Sequence, residues 1–463
     1  MAGHHPKDLQ SGAIQGVERE RNQKNSHCWF RWHCASANAT SGRAISVPNN
    51  SFRKKISSAK AIIADEYNLT LIEQTITPIN FREVLSPHLS GTTFLLNLAI
   101  SVSSEALIAL AQDTDSLYLD TCIEPWEYSN GDDCKLISNF DLRKSLQRFS
   151  ETRSTDACTA LVAHGANPGF ISVLLKKALI AMAQLNHVDI VPNNHRDWGL
   201  LAQKLGIRVV QISERDTQVS SSCRQPSHFM CTWSVDGLVT ECLQPAELGW
   251  GTHERKLPEG SQCSPYTISM SEQGREVMVK SWSPNYLDFE GYLLTHNESL
   301  SIAEYLTVGD HACPDYRPTV YYAYHPCDQA VASMVILENG GESQIDSKEV
   351  LKDSIVSGID ELGIFLISDI YPSYWLGSNL SIGKARKMAK HNNATTLQVV
   401  SSIIAGMAWA EANPKAGLIE TEMLDWEFIY DVAEKYWQPI VAQQINWRPV
   451  ASHNSLDFEY FRV

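Results

Sequence analysis

Between Gln211 and Glu254 the chain gathers acidic side chains, among them Glu214, Asp216, Glu241 and Glu247, and two indoles, Trp233 and Trp250. Carboxylates give charge-assisted hydrogen bonds to an ammonium, and an indole face attracts the same charge through its quadrupole. The β-branched residues around them, Val209, Val210, Ile212 and Val239, predict strands, so that alternate residues share a face and the acids line one side of a sheet. Two readings fit this pattern: a surface that holds a cation, and a solvated sheet face with amphipathic tryptophans at its rim.

The rest of the chain bounds what such a face could serve. At 463 residues it exceeds one ordinary core, and two domains are expected. Hydrophobic residues at 43% and charged residues at 20% describe a globular protein. The start, MAGHHPKDLQ, has no apolar signal core, and no long apolar run follows, so the expected location is the cytoplasm. Eleven cysteines without a C-x-x-C pair fit reduced thiols. His311 with Cys313 and His325 with Cys327 are too sparse for a metal site, and no metal is expected. A net charge of −15 disfavours nucleic acid and acidic membranes as partners and suits a cationic substrate.

Elements that could position the acids begin at residue 59. KAIIADE reads as a buried strand ending in Asp65 and Glu66, and GTTFLLNLAIS and SLYLDTCIEP read as further strands, with the helical SSEALIALAQ between them. This alternation predicts an α/β chain with a Rossmann-like parallel sheet, whose acids Asp65 and Glu66, with Asn97, are the cofactor-side candidates. GANPGF then opens a helix, and Asn167 there is either a polar group at a cleft or a routine cap. Sheet-rich, aromatic sequence follows to residue 392 as a second, α+β substrate domain. The predicted division is 1–54 as an aberrant leader, 55–168 as nucleotide-binding domain, 169–392 as substrate domain, and 393–463 as helices returning to the first domain or to a dimer interface.

One part of that sheet is missing. A dinucleotide-binding unit starts with a strand, a glycine-rich turn and a helix, yet no GxGxxG precedes Asp65. Tryptophan has one codon, so displacement of the reading frame by one base turns Trp29 before Phe30, and Trp32 before His33, into glycines. With permitted codons, Lys24 to Thr40 read one base later gives KIAIVGFGGIAQALMP, a strand, a G-x-G-x-x-A turn and a helix start. Residues 24–54 are therefore read either as an out-of-frame copy of the nucleotide-binding unit or as a disordered leader.

From residue 59 to the end the chain resembles the bacterial homospermidine synthases, of the saccharopine dehydrogenase-like superfamily. The resemblance rests on IEPW at Ile123, GANPG at Gly165, ERDTQ at Glu214, TWSVDG at Thr232, LQPAELGWGTHE at Leu243, THNES at Thr295, YAYHPC at Tyr322, GIDELG at Gly358 and the sequence from Asn393. It implies NAD as a tightly held hydride carrier, putrescine or spermidine as donor, putrescine as acceptor, a homodimer, and aminobutyl transfer through imines with loss of ammonia or diaminopropane. It also implies roles: Trp233 as the cation–π residue, Glu214 as anchor of the inner ammonium, Asn167 and His296 as polar groups at the reacting amine, and Glu124, Glu241 and Asp360 as further amine-binding carboxylates. Ser101 stands where that pattern carries an acid. Two other readings remain open: a saccharopine- or carboxynorspermidine-type dehydrogenase, which would call for arginines in the site, and an inactive polyamine-binding relic.

Overall fold

The computed structural model describes residues 66–463 except 68, 69, 71, 92, 130–135 and 339, together with two short strands, Cys28–Phe30 and Ala44–Ser46, which pair in parallel. The strand expected at KAIIADE, the acid Asp65 and the out-of-frame segment apart from those strands lie outside the described residues.

The first sheet is parallel, in the order Leu418–Glu420, Ala160–Val162, Leu117–Asp120, Phe94–Asn97. Its two middle strands are apolar because helices cover it, as parallel sheets require. Helix Ser104–Asp113 makes one crossover, capped where the Ser103 hydroxyl accepts the Ala106 N–H, and it buries Leu107, Ile108, Leu110 and Ala111. The strand Leu418–Glu420 brings the C-terminal part of the chain back to this sheet. The last residues do otherwise. Ile440–Ile445 adds an edge strand to the second sheet, and Trp447, Phe458 and Phe461 pack beneath it.

That second sheet has ten strands, and its middle reads Thr319–His325, Ile207–Asp216, Ile359–Ser368, Ser373–Ser381. Thr319–His325 runs parallel to Ile207–Asp216, and Ile359–Ser368 runs antiparallel to it. The side-chain period of two sorts the residues. Val210, Ile212, Val320, Tyr322, Tyr324, Leu362 and Ile364 face one core, beneath helices Phe170–Leu185 and Ala394–Ala412, while Val209, Tyr321, Ala323, Phe365 and Ile367 face another. Glu214 and Asp216 share parity with Ile212 and therefore lie on the first face.

One expected strand is a helix. Val239 and Glu241 belong to helix Val235–Leu243, whose Ser234 cap accepts the Gly237 N–H at 3.1 Å. Val235, Leu238, Val239 and Cys242 are its buried stripe, so the β-branched residues follow a helical spacing that the capping serine sets.

Helix Asn139–Glu151 joins the two sheets through buried Arg143. The guanidinium meets both oxygens of Glu420 at 2.7 and 2.6 Å, the Tyr266 hydroxyl at 2.8 Å, and Glu304 on helix Asn297–Tyr305. Removing the cation leaves two partly exposed carboxylates without the buried guanidinium that they share. Arg143→Met should cost about 3–5 kcal/mol of stability; a denaturant midpoint equal to that of the unaltered protein would contradict this.

Candidate active site

The register of three strands brings the acids together. Leu362 and Tyr324 flank Glu214, while Asp360 pairs directly with Asp216, so three carboxylates occupy one patch, none more than 2% exposed. Glu214 Oε2 accepts the Tyr322 hydroxyl at 2.6 Å and the Asn167 amide at 3.0 Å. Burial, with the charge of Asp216 adding to it, still pushes Glu214 above its ordinary range. Asp216 has its own donors: the Thr232 hydroxyl at 2.6 Å, and the backbone and side-chain N–H groups of Gln218 at 2.8 and 3.1 Å. Neither Asp360 oxygen makes a well-aligned hydrogen bond, although the Thr395 hydroxyl and Glu214 are close neighbours. Burial and the charges of Glu214 and Asp216 raise it far, so the patch holds fewer charges than carboxyl groups until a cation arrives.

His296 immediately precedes helix Asn297–Tyr305 and stacks on Tyr322, with ring centroids 4.2 Å apart. Its Nε2 lies 3.2 Å from Glu241 and its Nδ1 3.2 Å from Glu298. Burial alone would favour the neutral ring, but the two carboxylates outweigh it and hold an imidazolium well above the usual range. One oxygen of each, Glu241 Oε2 and Glu298 Oε2, is buried with no hydrogen-bond partner among the described residues.

Trp233 lies half-buried at the mouth of this patch, its indole N–H donated to the Tyr324 hydroxyl at 3.3 Å. Tyr324 stacks on Tyr322 at 5.3 Å, so His296, Tyr322, Tyr324 and Trp233 form a connected aromatic series. Gly237 makes room for the indole: a Cβ there would come within 2.7 Å of the ring.

Glu124 faces this wall from the first domain. It lies just beyond strand Leu117–Asp120, and its Oε2 accepts the Ser101 N–H at 2.8 Å. Burial first, then the charges of Glu124, Glu241, Asp120 and Glu298, push the nearby Cys122 thiol up, so carboxylates of both domains converge on one region. Behind Glu124 the Asn97 amide donates to Val102 O at 3.1 Å and to the Tyr118 hydroxyl at 3.3 Å. Tyr118 donates to Asp120 at 2.7 Å, and Asp120 accepts the Ala163 N–H at 2.7 Å. Burial lifts Asp120 to about 6. Ser101 and Ala163 both adopt positive φ, 59° and 50°, which marks these turns as constrained.

These turns lie at the carboxyl ends of parallel strands, where open α/β sheets take up nucleotides. The polar edge built by Asn97, Ser101 and Glu124 suits such a cofactor. Asn97 itself shapes the turn, since its amide is engaged within the chain. Glu66 stands apart, exposed and paired with His391 at 3.1 Å and Lys390 at 3.4 Å.

The remaining residues of the acidic stretch have other positions. Glu247, wholly buried and raised to about 7 by that burial, accepts the Asn139 and Phe140 N–H groups and the Thr295 hydroxyl. Trp250 packs on Phe458 in the opposite core. Sequence reasoning passed over Tyr322, Tyr324 and Glu298, although YAYHPC and THNES contain them; alternation along a strand beside that of Glu214 was the available signal for the tyrosines.

A nucleotide-type parallel sheet joined to a mixed sheet bearing buried acids defines a saccharopine dehydrogenase-type chain. Residues 52–164 match the saccharopine dehydrogenase NADP binding domain, and residues 165–445 match the saccharopine dehydrogenase C-terminal domain. Homospermidine synthase of Blastochloris viridis is 40% identical over 407 residues, 85% of each chain. That of Mesorhizobium japonicum is 34% identical over 403 residues, 84% of this chain and 83% of the other. A crystal structure of homospermidine synthase from Legionella pneumophila in complex with NAD superposes with a TM-score of 0.85 at 34% identity, over 95% of this chain and 98% of that one. The chain belongs to the homospermidine synthase family.

The raised state of Glu214 sets a pH dependence. Its folded value lies above the ordinary 4.5, so stability tied to the protonated form is present below 4.5 and is lost as pH rises toward neutrality. The thermal midpoint of the ligand-free protein should therefore fall more steeply over that interval than that of Glu214→Gln. Parallel curves would show that Glu214 ionises as it does in water.

Proposed function

We propose that the protein catalyses NAD-dependent aminobutyl transfer from putrescine or spermidine to putrescine, forming homospermidine and releasing ammonia or diaminopropane. The observation that carries this reading is the buried patch of Glu214, Asp216 and Asp360 beside the unpartnered oxygens of Glu241 and Glu298. Three desolvated carboxyl groups next to an imidazolium flanked by two more are a receptor for ammonium groups. The family's relatives, named for this activity, support the same reading.

A saccharopine-type dehydrogenase would instead need to bind substrate carboxylates. The neighbouring Arg215 does not serve that end: its guanidinium donates to the Asp216, His325 and Pro326 carbonyls and lies over Tyr286, and strand alternation puts it on the face opposite Glu214.

NAD would be held at the carboxyl edge of the first sheet, by the turns that Asn97, Ser101 and Glu124 organise, and when bound it supplies reversible hydride acceptance. The chain's residues then divide the remaining work. Glu214, raised toward neutrality, takes a proton from a bound amine and returns it, the condition for efficient acid–base action at neutral pH. Tyr322 and Asn167 orient its carboxylate. Asp360, lacking aligned donors, takes up an ammonium held beside Glu214, and Glu241, Glu298 and Glu124 hold amine groups farther out. The Trp233 face stabilises the positive charge of the iminium formed on the substrate carbon. A homodimer in the cytoplasm is the assembly expected with this chemistry.

The phosphate-binding turn is assigned to residues 24–54 read one base later. Support comes from the shifted sequence itself and from the position at which the match to the NADP binding domain begins, residue 52. Tryptic peptides of the native protein should match the shifted frame, in a protein purified with NAD bound. Peptides matching Asn25 to Arg43 as written would favour the relic, with an amine site and no hydride carrier.

Incubation with putrescine and NAD should yield homospermidine and ammonia by mass spectrometry, and no product from NAD-loaded protein would refute the assignment. A desolvated cation–π contact is worth about 2 kcal/mol, so Trp233→Ala should lower turnover about thirtyfold with NAD still bound. Turnover near that of the unaltered protein would remove the indole from the mechanism.

A further inference from the structure

Carboxylates of the two domains converge near Cys122, Glu124 from one and Glu241 and Glu298, with His296 between them, from the other, so something must hold the two at a fixed separation. The start of helix Asn139–Glu151 is fastened to the wall that carries His296. Glu247 accepts the Asn139 N–H at 2.7 Å and the Phe140 N–H at 3.4 Å with its two oxygens. The same carboxylate accepts the Thr295 hydroxyl at 3.0 Å, and the Asn139 side-chain amide donates back to that hydroxyl at 2.9 Å. Gln244 adds a bond to the Ile137 carbonyl at 2.8 Å, just ahead of the helix. Thr295 immediately precedes His296, so this closed ring of bonds ends one residue from the imidazolium between Glu241 and Glu298.

We propose that the Asn139–Glu247–Thr295 ring is a positioning device that sets the span of the amine cleft and thereby selects the length of the α,ω-diamine transferred. The inference rests on the amine-transfer reading above. An alkyl diamine fixes the distance between its charges through its chain length, and a desolvated carboxylate that is misplaced by about 1 Å loses much of its hold on the reacting geometry. One methylene more or less in a well-fixed site changes kcat/KM by roughly 10- to 200-fold. Slack in the ring lets the walls settle to other spans, and that discrimination shrinks. A role in stability alone would lower activity toward all diamines together.

The test compares 1,3-diaminopropane, putrescine and cadaverine with the full-length protein, Glu247→Gln and Asn139→Ala. Thermal midpoint and bound NAD are measured first, then kcat/KM for each diamine and its affinity by calorimetry. The preference for putrescine over the other two should fall at least tenfold in both variants while NAD stays bound. An unchanged preference in folded variants, with any loss shared by the three diamines, overturns the proposal. Where Glu247→Gln does not fold, Asn139→Ala decides, because it leaves the carboxylate and its backbone bonds in place. If the unaltered protein binds diamines without transferring them, the functional reading fails while the affinity ratios still decide the present one; if it binds none of them, both fail.

Discussion

Negative charge buried on one face of a sheet is the condition on which the rest of this structure depends. Glu214 and Asp216 sit on one strand and Asp360 on the strand beside it, level with Asp216, and none is more than 2% exposed. In such surroundings carboxylates cannot all ionise unless donors or cations compensate. Tyr322 and Asn167 compensate Glu214, and Thr232 and Gln218 compensate Asp216, but Asp360 is left without aligned donors. The fold thus carries a deficit of positive charge at a defined place, and a polyamine is the ligand class proposed to relieve it.

Much of the surrounding architecture maintains that deficit. The long helix Ala394–Ala412, capped by Asn393, covers the patch, and the Asn393 amide reaches the carbonyls of Thr232 and Leu351 at 2.6 and 2.8 Å. Gln218 links Asp216 to Thr395 on that helix, and its side-chain oxygen accepts the Ala394 N–H at 2.9 Å. Side chains fixed in this way cannot swing to compensate a missing charge, and preorganisation of this kind is what gives a desolvated site its electrostatic strength.

A second balance is struck at His296. Two carboxylates make the imidazolium stable in a buried position. One oxygen on each acid is left over among the described residues. The first domain contributes Glu124 from the opposite side, held by the Ser101 N–H, so both domains must be in register for an amine to meet the whole set. Arg143 and its three partners make that register a property of the folded chain.

Local pattern determined a large share of this. Apolar runs bounded by polar turns marked the strands Phe94–Asn97 and Leu117–Asp120, and the turn GANPGF marked the start of helix Phe170–Leu185, because those patterns are fixed by backbone geometry within a few residues. Residue type alone left two readings open for the acids and Trp233, a cation-holding face and a solvated sheet face, and the burial of the acids disfavours the second. Tertiary structure decided which of them act together. Glu247 and Trp250 lie close to Glu241 in sequence, yet one fastens a helix of the other domain and the other fills the opposite core. Asp360, 144 positions after Asp216 in the sequence, becomes its direct cross-strand partner. Tyr322 and Glu298 acquire their roles through contacts with Glu214 and His296. Strand register and domain packing join residues distant along the chain, and the free energy of a buried charge depends on those neighbours, which no local spacing encodes.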